Sequence, residues 1–255
     1  ETMAGAGDGG GRAAAALEIV EGEEDDAPPS LSARALEALT EFLAEQQRLQ
    51  EETGVPTRGE DAERDCAVEL VSEDWRLSQF WYEPGTARTV AEEIMVLCAA
   101  AGSSCLVACV ACPTIYAHLK KMDPSISVHL LEFDRRFEQY GADFTFYDYN
   151  QPYELPSAMH HAYQVVIADP PYLSQECLEK VSRTVTFLAR PEDSRLLLLT
   201  GEVQEERALE LLKLRPCGFR PRHSSKLGNE FRLFTSYDPQ GRLGGWAYKA
   251  RKNDL

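Results

Sequence analysis

The chain has 255 residues, enough to bury one sizeable core plus an appended segment, and it carries a formal net charge of −16. Residues 1–65 hold 17 acids and 5 bases, or −12, which leaves 25 acids and 21 bases, or −4, for the remainder. A body so near neutral lacks the Lys/Arg footprint that nucleic-acid backbones require, and no apolar run approaches the ~18 residues needed to span a bilayer.

No signal-peptide pattern is visible, and the first residue is Glu rather than Met, which fits a fragment or a processed chain. Seven cysteines, mostly in apolar stretches, suit a reducing compartment better than a disulfide framework. The expectation is a soluble cytoplasmic protein.

Residues 1–29 are Gly/Ala-rich and then acidic, with too little apolar surface to offset ordering entropy, and read as a disordered acidic tail. Residues 30–66 read as an N-terminal helix, with Leu36, Leu39, Phe42, Leu43 and Leu49 at helical spacing, followed by a linker. Glu73 to Tyr82 ends in three consecutive aromatics, which neither the helical nor the strand period can turn to one core. At least one of them is expected to line a pocket.

The spacing then predicts a helix over Thr86–Ala101, a strand within Ser104–Ala111 and a helix opening near Pro113. A second strand, Val128–Leu131, ends in Glu132-Phe133-Asp134; a helical stretch covers 135–140; a third strand, Phe144–Tyr147, ends in Asp148-Tyr149-Asn150. The fourth strand, Gln164–Ala168, stops at Asp169-Pro170-Pro171-Tyr172, because neither proline can donate a ladder hydrogen bond. A helix over 175–189, a strand Arg195–Leu199, a helix Val203–Leu214 and a strand pair, Phe219–His223 with Glu230–Tyr237, complete the pattern. Alternating βα units with continuously apolar strands give an α/β fold: a doubly wound, mostly parallel sheet of the seven-stranded, Rossmann-like type. One edge is expected to end in an antiparallel strand, and an N-terminal helical extension to precede the sheet.

Acids therefore stand at the carboxyl ends of three strands: Glu132 with Asp134, Asp148, and Asp169. In a doubly wound sheet these ends lie along one crevice, where an acid after the second strand is placed to accept from ribose hydroxyls and one after the third from an adenine amine. Singly, each acid is equally consistent with a helix cap. The first βα turn reads Ala111-Cys112-Pro113-Thr114, so no glycine-rich pyrophosphate cradle exists, which disfavours NAD, FAD and ATP. Cys105, Cys109 and Cys112 have the spacing of an iron–sulfur site, but alternation along a strand separates the sulfurs, and the histidines show no metal-ligand spacing. No metal is expected. The bases between Lys213 and Arg232 read as a solvated face or as a docking surface for an acidic protein. Asn229-Glu230-Phe231, opening a predicted strand, can reach the crevice.

Asp169-Pro170-Pro171-Tyr172 at a strand end resembles the signature of class I S-adenosylmethionine-dependent amino-methyltransferases. Taken with Ser78–Tyr82, Glu132–Phe137, Phe146–Asn150 and Asn229–Arg232, it resembles the family once labelled N6-adenine-specific DNA methyltransferase 2, now regarded as lysine methyltransferases of elongation factor 1-alpha. The likeness covers roughly residues 30–238. It implies a methyltransferase domain over 67–238, a C-terminal tail over 239–255, S-adenosyl-L-methionine as cofactor and a protein lysine, in elongation factor 1-alpha, as acceptor. Carried onto this chain, Asp169, Pro170, Pro171 and Tyr172 would be catalytic. Ser78, Phe80, Trp81, Ala111, Glu132, Asp134, Asp148 and Tyr149 would bind cofactor, and Asn229, Glu230 and Phe231 would bind substrate. Two rival readings use the same fold: N6-adenine methylation of DNA or RNA, which the near-neutral body disfavours, and a catalytically silent S-adenosylmethionine-binding module.

Overall fold

The computed structural model describes residues 70–247 apart from 103, 226 and 227; the expected tail and N-terminal helix lie outside the described residues. The chain divides into two units, residues 1–63 and 64–255, and the sheet with its helices belongs to the second.

A seven-stranded sheet runs β3 (Phe144–Phe146), β2 (Val128–Glu132), β1 (Val107–Val110), β4 (Val165–Ala168), β5 (Arg195–Gly201), β7 (Phe231–Thr235) and β6 (Arg215–Pro216). β1 to β5 are mutually parallel, whereas β7 is antiparallel to both β5 and β6. The central strands are short and apolar throughout because both of their faces are covered. Val107, Cys109, Val165, Ile167, Leu197 and Leu199 turn to one face. There they meet Val90 and Ile94 of α1 (Pro84–Ala101) and Ile115 and Leu119 of α2 (Pro113–Met122). Ala108, Val110, Val166, Ala168 and Leu198 turn to the other. They meet Leu178, Val181 and Val185 of α3 (Gln175–Leu188) and Ala208 and Leu212 of α4 (Glu205–Leu212). Each valine, leucine or isoleucine among these contributes about 1.5–3 kcal/mol on leaving water, before ordering costs.

Helix ends follow local chemistry. Pro84 and Pro113 open α1 and α2, where the missing N–H costs nothing, and Ser174 Oγ accepts from the Cys177 amide at 3.2 Å to cap α3. At the end of α1, Cys98 approaches Cys105, which precedes β1, with the two sulfurs 2.8 Å apart.

Two expectations need correction. The edge strand is Arg215–Pro216, not Phe219–His223; the expected antiparallel edge is present, with β7 pairing β5 on one side and β6 on the other. The Gly218 and Phe219 amides instead donate to the Gly245 and Leu243 carbonyls, at 2.9 Å each. That pairing is made by the stretch read as a tail: Leu243 is buried, and Arg242 grips the buried Glu93 with bonds of 2.6 and 3.0 Å. As far as Ala247, the chain beyond Pro239 packs on the sheet. The run of bases is also largely committed: Arg220 and Arg232 pair with Glu202 and Glu230, and Arg215 lies over the Trp246 ring.

Candidate active site

The carboxyl ends of β1, β2, β3 and β4 open into one crevice of about 640 Å³, at the point where the strand order reverses between β1 and β4. Its floor is the end of β4. The Asp169 amide donates to the Val110 carbonyl at 3.0 Å, which holds the turn to β1 before the two prolines force the chain off the sheet. Asp169, Pro170, Pro171 and Tyr172 all line the crevice, with Tyr172 exposed at its mouth and its ring 6.0 Å from that of Tyr149, edge to face. Burial lifts the Asp169 carboxyl up to about 8; the neighbouring Tyr82 hydroxyl pulls it down, and the Glu132 charge raises it further.

Glu132, the last residue of β2, is buried. One of its oxygens accepts from the Phe133 and Asp134 amides at 3.1 and 3.2 Å, and burial still pushes the carboxyl up to about 7. Asp148 lines the crevice beyond β3 and accepts from the Asn150 amide at 2.8 Å, which fixes its side chain. Neither Glu132 nor Asp169 has an ion-pair partner among the described residues. Two such acids, Glu132 buried and Asp169 half-buried, form a site suited to a positively charged ligand with hydroxyl donors, which describes S-adenosylmethionine.

Ser78, Phe80 and Trp81 form the opposite wall. Trp81 is anchored by its Nε1, which donates to the Val71 carbonyl at 2.9 Å, and its ring meets Phe137 edge-on. Ser78 adopts a left-handed backbone, φ 55°, to end the turn Trp75–Leu77. Ala111 does the same, φ 53°, at the first βα turn, so an alanine takes the conformation that glycine usually supplies there. Ala111 lines the crevice with Cys112, Pro113 and Thr114, at the N-terminus of α2.

Two expected site residues lie outside it. Asp134 is buried behind the wall, where its carboxylate takes the Arg136 guanidinium at 2.6–3.1 Å and the Gln79 amide at 3.0 Å. Burial pushes that carboxyl up, but Arg136 and Gln79 outweigh it and hold it low. Glu230 is exposed, pairs with Arg220 at 3.1 Å and does not line the crevice, while its neighbours Asn229 and Phe231 do. One lining residue, His223, lies outside the expected set. His223 lines the crevice, and burial lowers its imidazole to about 4. Nothing in the spacing of His223 betrays this, because residues 222–224 are brought in by pairing with residues 81–83.

A doubly wound sheet in this order, with acids ending its strands and a stiff Asp-Pro-Pro-Tyr turn at the switch point, defines a Rossmann-like S-adenosylmethionine-dependent methyltransferase. The model of a family described as probable N6-adenine methyltransferase matches residues 73–239. EEF1A lysine methyltransferase 1 of Homo sapiens is 45% identical over 217 residues, which span 84% of this chain and 95% of that protein. Protein-lysine N-methyltransferase CG9154 of Drosophila melanogaster is 35% identical over 219 residues, 82% and 94% of the two chains. Among solved structures, magnesium protoporphyrin IX methyltransferase from Synechocystis superposes with a TM-score of 0.41 at 14% identity, over 82% of this chain and 98% of the other. The chain belongs to the EEF1A lysine methyltransferase 1 family of protein-lysine N-methyltransferases.

Proposed function

We propose that this protein moves a methyl group from S-adenosyl-L-methionine to the ε-amine of a lysine in translation elongation factor 1-alpha, in the cytoplasm. The observation that carries the reading is the Asp169-Pro170-Pro171-Tyr172 turn, which sets a half-buried carboxyl at the crevice floor and an exposed aromatic ring at its mouth.

A lysine amine, with an ordinary pKa of ~10.4, attacks only after it loses a proton. Asp169 and the Pro170 carbonyl accept the hydrogens of the bound amine, orienting its lone pair. The Tyr172 ring face steadies the positive charge on the nitrogen, by ~0.5–2 kcal/mol. Glu132 accepts from ribose hydroxyls and Asp148 from the adenine amine, while Ser78, Phe80, Trp81, Ala111 and Tyr149 enclose the cofactor. Asn229 and Phe231 border the acceptor chain. The cofactor, when bound, supplies an electrophilic methyl on a sulfonium: the new N–C bond forms as the S–C bond breaks, leaving S-adenosylhomocysteine. The near-neutral charge of the body supports a protein acceptor over DNA or RNA.

The test incubates the protein with labelled S-adenosylmethionine and, in parallel, elongation factor 1-alpha, DNA and RNA. Label is expected in a lysine of elongation factor 1-alpha alone, and Asp169→Ala is expected to lower turnover by a hundredfold or more (about 3 kcal/mol) while preserving the circular dichroism spectrum. Label in nucleic acid, or near wild-type turnover by the Asp169→Ala variant, overturns the reading.

A further inference from the structure

Beside Asp169 lies a polar atom that the proposed mechanism leaves without a task. Tyr82 is 3% exposed, and its hydroxyl makes no well-formed hydrogen bond. Buried donors are satisfied in the great majority of proteins, so an orphan one at a reaction site calls for a reason. Its position is not a matter of loose packing. Tyr82 bridges His223 through the backbone, the Glu83 amide donates to the Arg222 carbonyl at 2.9 Å, and the Ser224 amide donates to the Trp81 carbonyl at 2.8 Å. The Tyr82 ring lies on the His223 imidazole, centroids 4.3 Å apart, and that imidazole packs on Phe231 at 4.5 Å. A phenolic oxygen sits on its ring axis, so a ring held in this way cannot swing the hydroxyl elsewhere.

Three titratable groups face the Asp169 carboxyl: Tyr82 from the segment before α1, Cys112 from the turn after β1, and Glu132 from the end of β2. None is a cation. The Cys112 thiol is directed at the Ile167 carbonyl at 3.6 Å, and Glu132 is held by two backbone amides. Only the Tyr82 hydroxyl has its hydrogen uncommitted.

We propose that Tyr82 is a positioning residue for methyl transfer: its hydroxyl donates to one oxygen of the ionised Asp169 carboxylate and leaves the other oxygen aimed at the acceptor amine. The inference rests on Asp169 holding that amine. Burial lifts this carboxyl up to about 8, and ionisation turns the oxygen that the Tyr82 hydroxyl faces from a weak acceptor into a strong one. A hydrogen bond to the ionised form favours that form, so removing it moves the ionisation of Asp169 to higher pH.

Tyr82→Phe removes one oxygen and keeps the ring stack. Turnover and KM are measured against pH for wild type, Tyr82→Phe and Asp169→Asn, with elongation factor 1-alpha as acceptor and thermal midpoints as a control. The expected result for Tyr82→Phe is an acidic limb of the kcat profile displaced upward by about one pH unit, a tenfold effect. Turnover near pH 7 falls about tenfold and recovers in alkaline buffer, with KM for the cofactor changed less than twofold. Incorporation of 3-fluorotyrosine at position 82, a stronger donor on the same ring, moves the limb the opposite way and keeps the test open if Tyr82→Phe folds poorly. An unmoved limb in either substitution, with Asp169→Asn inactive, makes Tyr82 a core aromatic and overturns the proposal alone. An active Asp169→Asn overturns the reading of Asp169 on which it depends.

Discussion

Glu132 and Asp169 end β2 and β4, the strands flanking β1, and burial raises both carboxyls, to about 7 and about 8. For an acid whose folded pKa exceeds its unfolded value, stability is fully present below the ordinary carboxylate range and is lost as pH rises through the folded pKa. Asp169 therefore weakens the folded state progressively between about pH 4 and pH 8. Asp169→Asn is expected to match wild type near pH 4 and to exceed it by a few kcal/mol at pH 8, as read by denaturant unfolding at the two pH values. An equal margin at both would mean that the carboxyl is not held protonated. Glu132, Asp148 and Asp169 were legible because a strand end in a doubly wound sheet is a place as well as a residue. Asp134 was not separable from Glu132 by that logic. The strand stops at Glu132, and two residues later the carboxylate caps the turn Arg135–Asp143 through the Arg136 amide at 2.9 Å. The setting of Tyr82 was illegible for a different reason, since it depends on His223, delivered from far along the chain.

The wall formed by residues 71–81 has little regular structure beyond the turn Trp75–Leu77 and is held to the sheet by side chains. Arg136 reaches the Ser72 carbonyl at 3.2 Å and Gln79 at 3.0 Å, and Gln79 closes the loop onto Asp134. Charge-assisted bonds of this kind contribute about 1.5–3 kcal/mol each when buried, and less here because the Arg136 side chain is 41% exposed. Asp134→Asn keeps the shape but weakens the clasp. It is expected to release S-adenosylhomocysteine several-fold to tenfold faster, followed by stopped-flow fluorescence of Trp81, with an unchanged circular dichroism spectrum. An unaltered release rate would separate this wall from cofactor retention. At this scale the helices and central strands were legible from period and proline placement. The misplaced edge strand was not, because residues 218–219 find their partners in a segment beyond Pro239 whose composition resembles a tail.

Across the whole domain, a parallel sheet covered on both faces follows from the alternation of apolar strands and helices, and the reversal of strand order between β1 and β4 places the crevice where four strand ends meet. The same order puts the opposite edge, where strands begin, out of reach of the chemistry. Cys98 and Cys105 face each other there, sulfurs 2.8 Å apart, one half-exposed and one buried. Peroxide can oxidise one thiol to a sulfenic acid, releasing water; the second thiol then attacks that sulfur, and the S–S bond forms as the S–O bond breaks and a second water leaves. By the chain-entropy account, a loop this short would stabilise the domain by about 2–3 kcal/mol, a rise of roughly 5–10 °C in Tm. Mass spectrometry should find the bond and calorimetry the rise, with methyl transfer unchanged and Cys98→Ser abolishing both. A protein with such a pair carries a record of its surroundings: two preparations identical in sequence and activity would differ in heat resistance according to the oxidants each had met.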